Sequence, residues 1–134
     1  MSKAIYDAEA SVLLRAQGSA AVTATATDAA KAFDWEYAAG FALVVKVSDV
    51  ETGVGDETYS FTVNALDPAG GNSTDIMTTG AITTAGEYIF ALDGDTARLI
   101  DADAAQISLT ATLGGNAPSI TYSAFLNPAF GFAP

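Results

Sequence analysis

The sequence contains neither cysteine nor histidine. The first absence excludes disulfides, thiolate metal sites and a cysteine nucleophile. The second excludes Ser-His-Asp chemistry, imidazole zinc sites and the usual proton shuttle at neutral pH. Basic residues are scarce, five against sixteen acidic ones, for a formal net charge of −11. A surface of that sign does not fit a nucleic-acid backbone or an anionic membrane. Long apolar runs are missing too. Near the start the longest is Val12-Leu13-Leu14, cut by Arg15. A secretory leader is not expected from it, and nothing approaches the roughly 18 apolar residues of a membrane helix. What is present is 134 residues, half of them hydrophobic. That is one domain's worth of chain, with enough apolar side chains for a core without staples.

The hydropathy pattern is β throughout. Residues 20–27 read AAVTATAT, with Val22, Ala24 and Ala26 alternating against Thr23, Thr25 and Thr27. Residues 40–48 place Phe41, Leu43, Val45 and Val47 on one face. Residues 58–66 do the same with Tyr59, Phe61, Val63 and Ala65, and 87–92 with Tyr88, Phe90 and Leu92. Residues 106–113 turn Ile107, Leu109, Ala111 and Leu113 inward, and 119–126 turn Ile120, Tyr122, Ala124 and Leu126 inward. Period-two alternation marks half-buried strands. Shorter candidates are 11–16, 32–37, 75–79 and 97–100, with a short helical turn expected near 101–105.

Turn residues punctuate these runs. The acidic stretch 49–56 reads as a hairpin loop between two strong strands, and 67–73, 93–95 and 114–118 read as further loops. Strands with one apolar and one polar face, spaced 8 to 12 residues apart, form two packed antiparallel sheets. The expected fold is therefore an all-β antiparallel β-sandwich, in first place a jelly roll. A single domain spans 1–134, with an N-terminal arm at 1–10 and a C-terminal tail at 127–134. Phe41, Leu43, Val45, Phe61, Val63, Phe90, Leu109 and Ile120 are expected in its core.

Chemistry-bearing clusters are few. Asp93, Asp95, Asp101 and Asp103 offer hard oxygen ligands for Ca²⁺. An EF-hand template fails on Ala97, Arg98 and Ala104. Turn-forming carboxylates explain the 93–103 stretch better, and no metal or cofactor is expected. Asp49, Glu51, Asp56 and Glu57 could hold an acid–base pair, but a solvated loop explains them as well, and no enzyme activity is expected. Phe33, Trp35 and Tyr37 alternate with Asp34 and Glu36; core packing is preferred over a sugar-stacking platform. The closing LNPAFGFAP carries Phe130 and Phe132 among Pro128, Gly131 and Pro134, which suits contact with a partner better than a regular strand.

Three segments resemble the small capsid decoration, or cement, proteins of tailed bacteriophages. These are the opening YDAE and GSAAVTATATDAAKAFDW, the pair YSFTVNALD and GEYIFALDGD, and the close GGNAPSITYSAFL. They span most of the chain and carry no active-site residue. The resemblance implies a virion structural protein, made in the host cytoplasm and bound to the outer capsid surface. There it would bridge subunits of the major capsid protein. It also implies a homo-oligomer, a trimer in preference to a dimer, with Tyr6, Phe125, Phe130 and Phe132 as partner anchors. A tail-tube or other head–tail subunit, and a carbohydrate- or host-surface-binding sandwich, are the competing expectations.

Overall fold

The computed structural model describes residues 12–32, 41–71, 73–92 and 105–127. Nine strands follow one another: β1 (Val12–Arg15), β2 (Ala26–Thr27), β3 (Lys31–Ala32), β4 (Phe41–Val50), β5 (Thr58–Leu66), β6 (Thr74–Thr78), β7 (Gly86–Leu92), β8 (Gln106–Gly114) and β9 (Ile120–Asn127). They form two antiparallel sheets, and no helix occurs among the described residues. Sheet A runs β1-β9-β4-β7. Sheet B runs β2-β8-β5-β6, with β3 also paired to β8.

The expected β-sandwich is what forms, and the reason is the alternation. Leu43, Val45 and Val47 from β4, together with Ile120, Tyr122, Ala124 and Leu126 from β9, line the inner face of sheet A. Tyr59, Phe61, Val63 and Ala65 from β5 and Ile107, Leu109 and Ala111 from β8 line that of sheet B. All are buried in one cluster, with Tyr88 and Phe90 partly buried against it. Phe61 and Tyr122 meet edge-to-face across the two sheets, ring centroids 4.8 Å apart, an aromatic geometry that adds to plain area burial. Of the expected core residues whose side chains are described, Phe90 is the least enclosed. Phe41 pairs through its backbone with Leu92, and its side chain lies outside what is described.

Two expectations are corrected. The stretch 49–56 does not close a hairpin. β4 belongs to sheet A and β5 to sheet B, so the connection crosses between layers. Its turn residues signalled a change of direction, which a sheet-to-sheet arch needs as much as a hairpin does. The long strand expected at 20–27 is reduced to β2 and one isolated bridge between Val22 and Ile120. Ala and Thr differ too little in apolar area for their alternation to drive burial, and most of 20–27 is exposed. Smaller differences concern boundaries. β9 runs through Asn127, where the tail was expected to begin. Of 32–37 only Ala32 is described, at the end of β3, while 97–100 lies outside the described residues. Of 101–105 only Ala105 is described, and its N–H donates to the Leu66 carbonyl at 2.8 Å.

One end of the sandwich is pinned by a single hydroxyl. Tyr59 Oη donates to the Glu51 carbonyl and accepts from the Ser119 N–H at 2.9 Å. It thus joins the β4–β5 and β8–β9 arches. Beside it, Gly115 sits at φ +98°, and a Cβ there would stand 2.6 Å from the Asp56 carbonyl oxygen. Only glycine fits both the backbone conformation and that close approach.

Candidate interaction surfaces

The outward positions of each sheet form a face of its own, and strand register decides what lines it. On sheet A, Leu13 of β1 stands opposite Phe125 of β9. Phe125 stands opposite Val44 of β4, and Val44 opposite Ile89 of β7. These four side chains make one unbroken apolar row across the whole sheet. Its two ends are open to solvent: Leu13 is 54% exposed and Ile89 52%. Its middle is shielded, with Val44 at 8%. One register step along, Lys46 pairs with Glu87 at 3.8 Å and lies 6.0 Å from the centre of the Phe125 ring. Both charged side chains are half exposed, so the pair contributes little to stability. Its effect is to leave this part of the face without net charge.

Sheet B presents a contrasting row. Thr27 of β2 stands opposite Thr110 of β8, Thr110 opposite Thr62 of β5, and Thr62 opposite Thr78 of β6. The hydroxyls of Thr27 and Thr110 lie 2.8 Å apart, and those of Thr62 and Thr78 3.1 Å. Asn64, buried on this face, donates to Ser108 Oγ at 3.2 Å and to Thr110 Oγ1 at 2.8 Å. Such cross-strand hydroxyl pairs support the sheet while keeping the face wet.

The carboxylates of the β4–β5 arch accept from backbone N–H groups, two in the arch itself and one in the β8–β9 connection. Glu51 Oε1 accepts from the Gly53 N–H at 2.7 Å, Glu57 Oε1 from the Gly55 N–H at 3.0 Å, and Asp56 Oδ1 from the Asn116 N–H at 3.3 Å. Asp49 sits exposed beyond a bulge near the end of β4. Among the described residues, no three acidic side chains gather into a set that could hold a metal ion.

At the edge of the sandwich the chain builds one charged network. Arg15 Nη1 donates to Asp28 Oδ1 at 2.9 Å, and Tyr122 Oη donates to Asp28 Oδ2 at 2.9 Å. The guanidinium carbon lies 4.8 Å from the Tyr122 ring centre, and Arg15 Nη2 donates to the Ala20 carbonyl at 2.6 Å. Burial, then the charge of Asp28 and the hydrogen bond to it, push the Tyr122 phenol well above the usual tyrosine range; Arg15 pulls the other way. The network ties β1 and the segments on either side of β2 to β9. The Arg15–Asp28 pair is largely enclosed, at 17% and 12% side-chain exposure, and reads as a structural clasp.

Of the expected anchors, Phe125 is described and lies half-buried in the apolar row. Tyr6, Phe130 and Phe132 lie outside the described residues, as do Asp93, Asp95, Asp101 and Asp103 and the Phe33, Trp35 and Tyr37 cluster. Leu13 and Ile89 are exposed apolar residues that the sequence reading does not single out, and Val44 between them is a buried one. Their signal is a fault in the alternation: Val44-Val45, Tyr88-Ile89-Phe90 and Phe125-Leu126 place apolar residues on both strand faces. Only register shows that these faults lie side by side.

No family model matches the chain, and no curated protein matches it. Among solved structures, the chain is similar to one in the structure of infectious bursal disease virus, Gx strain, with a TM-score of 0.50 and 13% identity. That match covers 92% of this chain and 33% of the other. A chain of the Gt strain matches with a TM-score of 0.45 at 13% identity, over 92% of this chain and 32% of the other. The chain thus spans about a third of the viral chains it resembles. At this identity the likeness is one of fold: the two-sheet sandwich recurs, over nearly the whole of this chain, within a larger viral protein.

Proposed function

We propose that this chain is a virion structural protein that binds the outer surface of a phage capsid and stabilises it by bridging major capsid protein subunits. The observation that carries this reading is the way the chain is wound. The sheet orders β1-β9-β4-β7 and β2-β8-β5-β6 interleave early and late strands, and apart from the β5–β6 hairpin the connections from β3 onward pass between sheets. We infer that this is a jelly roll, an architecture that recurs in viral capsid domains. The fold shared with a chain of an infectious bursal disease virus structure supports it. So do the two sheet faces, which are the conspicuous surface features among the described residues. The role is mechanical and not catalytic. Many weak contacts, repeated by symmetry, hold a lattice through avidity. The chain acts as a homo-oligomer on the capsid, and its acidic surface keeps the free protein soluble.

The test is decoration of expanded capsids by the full chain and by a chain lacking residues 128–134. β9 ends at Asn127, so the truncation spares every described strand. The expected result is a folded protein with reduced capsid occupancy and reduced heat resistance of the particle. Unchanged occupancy would remove Phe130 and Phe132 as anchors. Failure of the full chain to bind any capsid would overturn the proposed function.

A further inference from the structure

We infer that the free edge of β7 pairs with the β7 of a second copy, continuing sheet A across a two-fold axis. A terminal strand presents a row of unpaired backbone N–H and C=O groups, and native proteins blunt such rows with short strands, charges, proline or bulges. Among the described strands, three of the four sheet edges carry such devices. β1 has four residues, a bulge between Leu13 and Arg15, and Arg15 itself, paired with Asp28. β2 and β3 have two residues each. β6 has five, with a register shift against β5 and an exposed Asp75. β7 differs from all of these. It runs seven residues, Gly86–Leu92, in unbroken register with β4. It holds no proline, and its one charged side chain, Glu87, faces Lys46 at 3.8 Å. The core is also less closed along this edge. Tyr88 and Phe90 are only partly buried, whereas Val45 and Leu43, opposite them on β4, are buried completely.

Register selects a second β7 as the occupant. Ile89 is the midpoint of Gly86–Leu92, so an antiparallel copy centred there overlaps the whole strand. Residues directly opposite in such a pair lie on the same face. Centred on Ile89, the pairing sets Tyr88 against Phe90 of the copy on the inner face, an aromatic cross-strand pair that encloses both. Ile89 meets Ile89 on the outer face. Glu87 meets Ala91, and the two Glu87 residues stand roughly 14 Å apart, four residues along the strand. A shift of one residue would turn the inner face of one copy outward, and a shift of two would leave strand ends unpaired. Each copy brings the same open edge, so one contact satisfies both. A contact made by the same strand of both partners closes as a two-fold dimer, where the resemblance to decoration proteins implies a trimer. The inference rests on the homo-oligomer of the proposed function and names its contact. It is tested without a capsid, so its failure is told apart from a failure to bind one.

Sedimentation equilibrium of the full chain, from micromolar to millimolar protein, should show a monomer–dimer equilibrium. Hydrogen exchange on the same samples locates the contact: backbone amides of 86–92 should slow as concentration rises, and those of β1 should not. Ile89→Lys and Ile89→Glu each set like charges opposite one another at the two-fold axis. Each should weaken association by roughly tenfold or more, with unchanged circular dichroism. An equimolar mixture of the two should restore it, because opposite charges then face each other. Leu13→Lys, at the other edge of the same sheet, should associate like the parent. A full chain that stays monomeric at millimolar concentration or forms a trimer would overturn the assignment. So would exchange in 86–92 that is independent of concentration, single Ile89 variants that associate like the parent, a mixture without recovery, or loss of association in the Leu13 variant. Should the Ile89 variants fail to fold, the exchange measurement on the parent chain decides.

Discussion

The two outer faces are built on equal scaffolds and lined by different chemistry. Each is crossed by one register row over four strands. On sheet A the row is Leu13, Phe125, Val44 and Ile89; on sheet B it is Thr27, Thr110, Thr62 and Thr78. β-branched threonine satisfies strand propensity and pairs its hydroxyl with a neighbour or with water. It is what a sheet needs on a side that stays wet. The leucine, phenylalanine and isoleucine of the other row add nothing to strand formation that threonine and valine would not. Leu13 and Ile89 leave about half of their surface in water, whereas Val44 between them is buried. The difference teaches that the two rows expose different chemistry at their ends, hydroxyls at Thr27 and Thr78 and apolar side chains at Leu13 and Ile89, while both faces have a covered part, at Ala42 and Val44 on sheet A and at Asn64, Leu66 and Ser108 on sheet B.

The contrast should vanish where the faces share a foundation. Val45→Asp places an unpaired charge between both sheets, costing several kcal/mol, on the order of the whole stability. Soluble expression and the β-type circular dichroism spectrum should be lost, taking both faces together. A folded Val45→Asp protein would mean that the core is not where β4 and β9 place it.

Next in size is the clasp at the sandwich edge. Asp28→Ala leaves Arg15 largely enclosed without its carboxylate and removes the acceptor of Tyr122. A cost of about 3 kcal/mol is expected, which for a domain of this size lowers the melting temperature by roughly 10 °C. Because Arg15 sits on β1 beside Leu13, hydrogen exchange should rise more on β1 and β9 than on β5 and β6. Equal loosening of both sheets would show that the clasp does not serve sheet A selectively.

On sheet B the expected effects are smaller. Asn64→Ala deletes the donor to Ser108 and Thr110 and should cost about 1–2 kcal/mol, read from chemical denaturation, with no change in oligomeric mass. Thr78→Val, at the exposed end of the threonine row, should stay within about 0.5 kcal/mol of the parent. A loss from Thr78→Val as large as that from Asn64→Ala would show that the exposed end of the threonine row bears on packing as well as on solvent.

A pH effect follows from Tyr122, whose phenol titrates higher in the fold than its ordinary value of 10.0. Below that value both folded and unfolded forms keep the proton, and its stabilising contribution is complete. As the pH rises above it, the unfolded chain releases the proton first, so the unfolded state binds fewer protons and stability falls with pH. Denaturation curves of the parent should therefore weaken above about pH 10, and those of Tyr122→Phe should decline less steeply. Parallel declines would remove Tyr122 as the source.

How far the sequence discloses this depends on contrast between side chains. β5 runs over Thr58–Leu66, the span read from alternation alone, because Tyr, Phe and Val against Ser, Thr and Asn leave no second solution. β8 and β9 are legible for the same reason. At 20–27 Ala against Thr lacks that contrast, and the strand dissolves into a bridge and two paired residues. The arch at 49–56 was misread because turn residues specify a bend and not the layer the chain bends toward. The row across sheet A is half legible: Phe125 is named from the sequence as an aromatic anchor, whereas Leu13, Val44 and Ile89 are brought into line with it only by strand register. Such rows are properties of pairing, which hydropathy along one strand does not contain.

The proposed function is tested most directly by electron microscopy of the particle with which this chain co-purifies. The expected image is a phage capsid with β-sandwich density on its outer surface at junctions between shell subunits. A tail tube built from rings of this chain, or the absence of any particle, would contradict it.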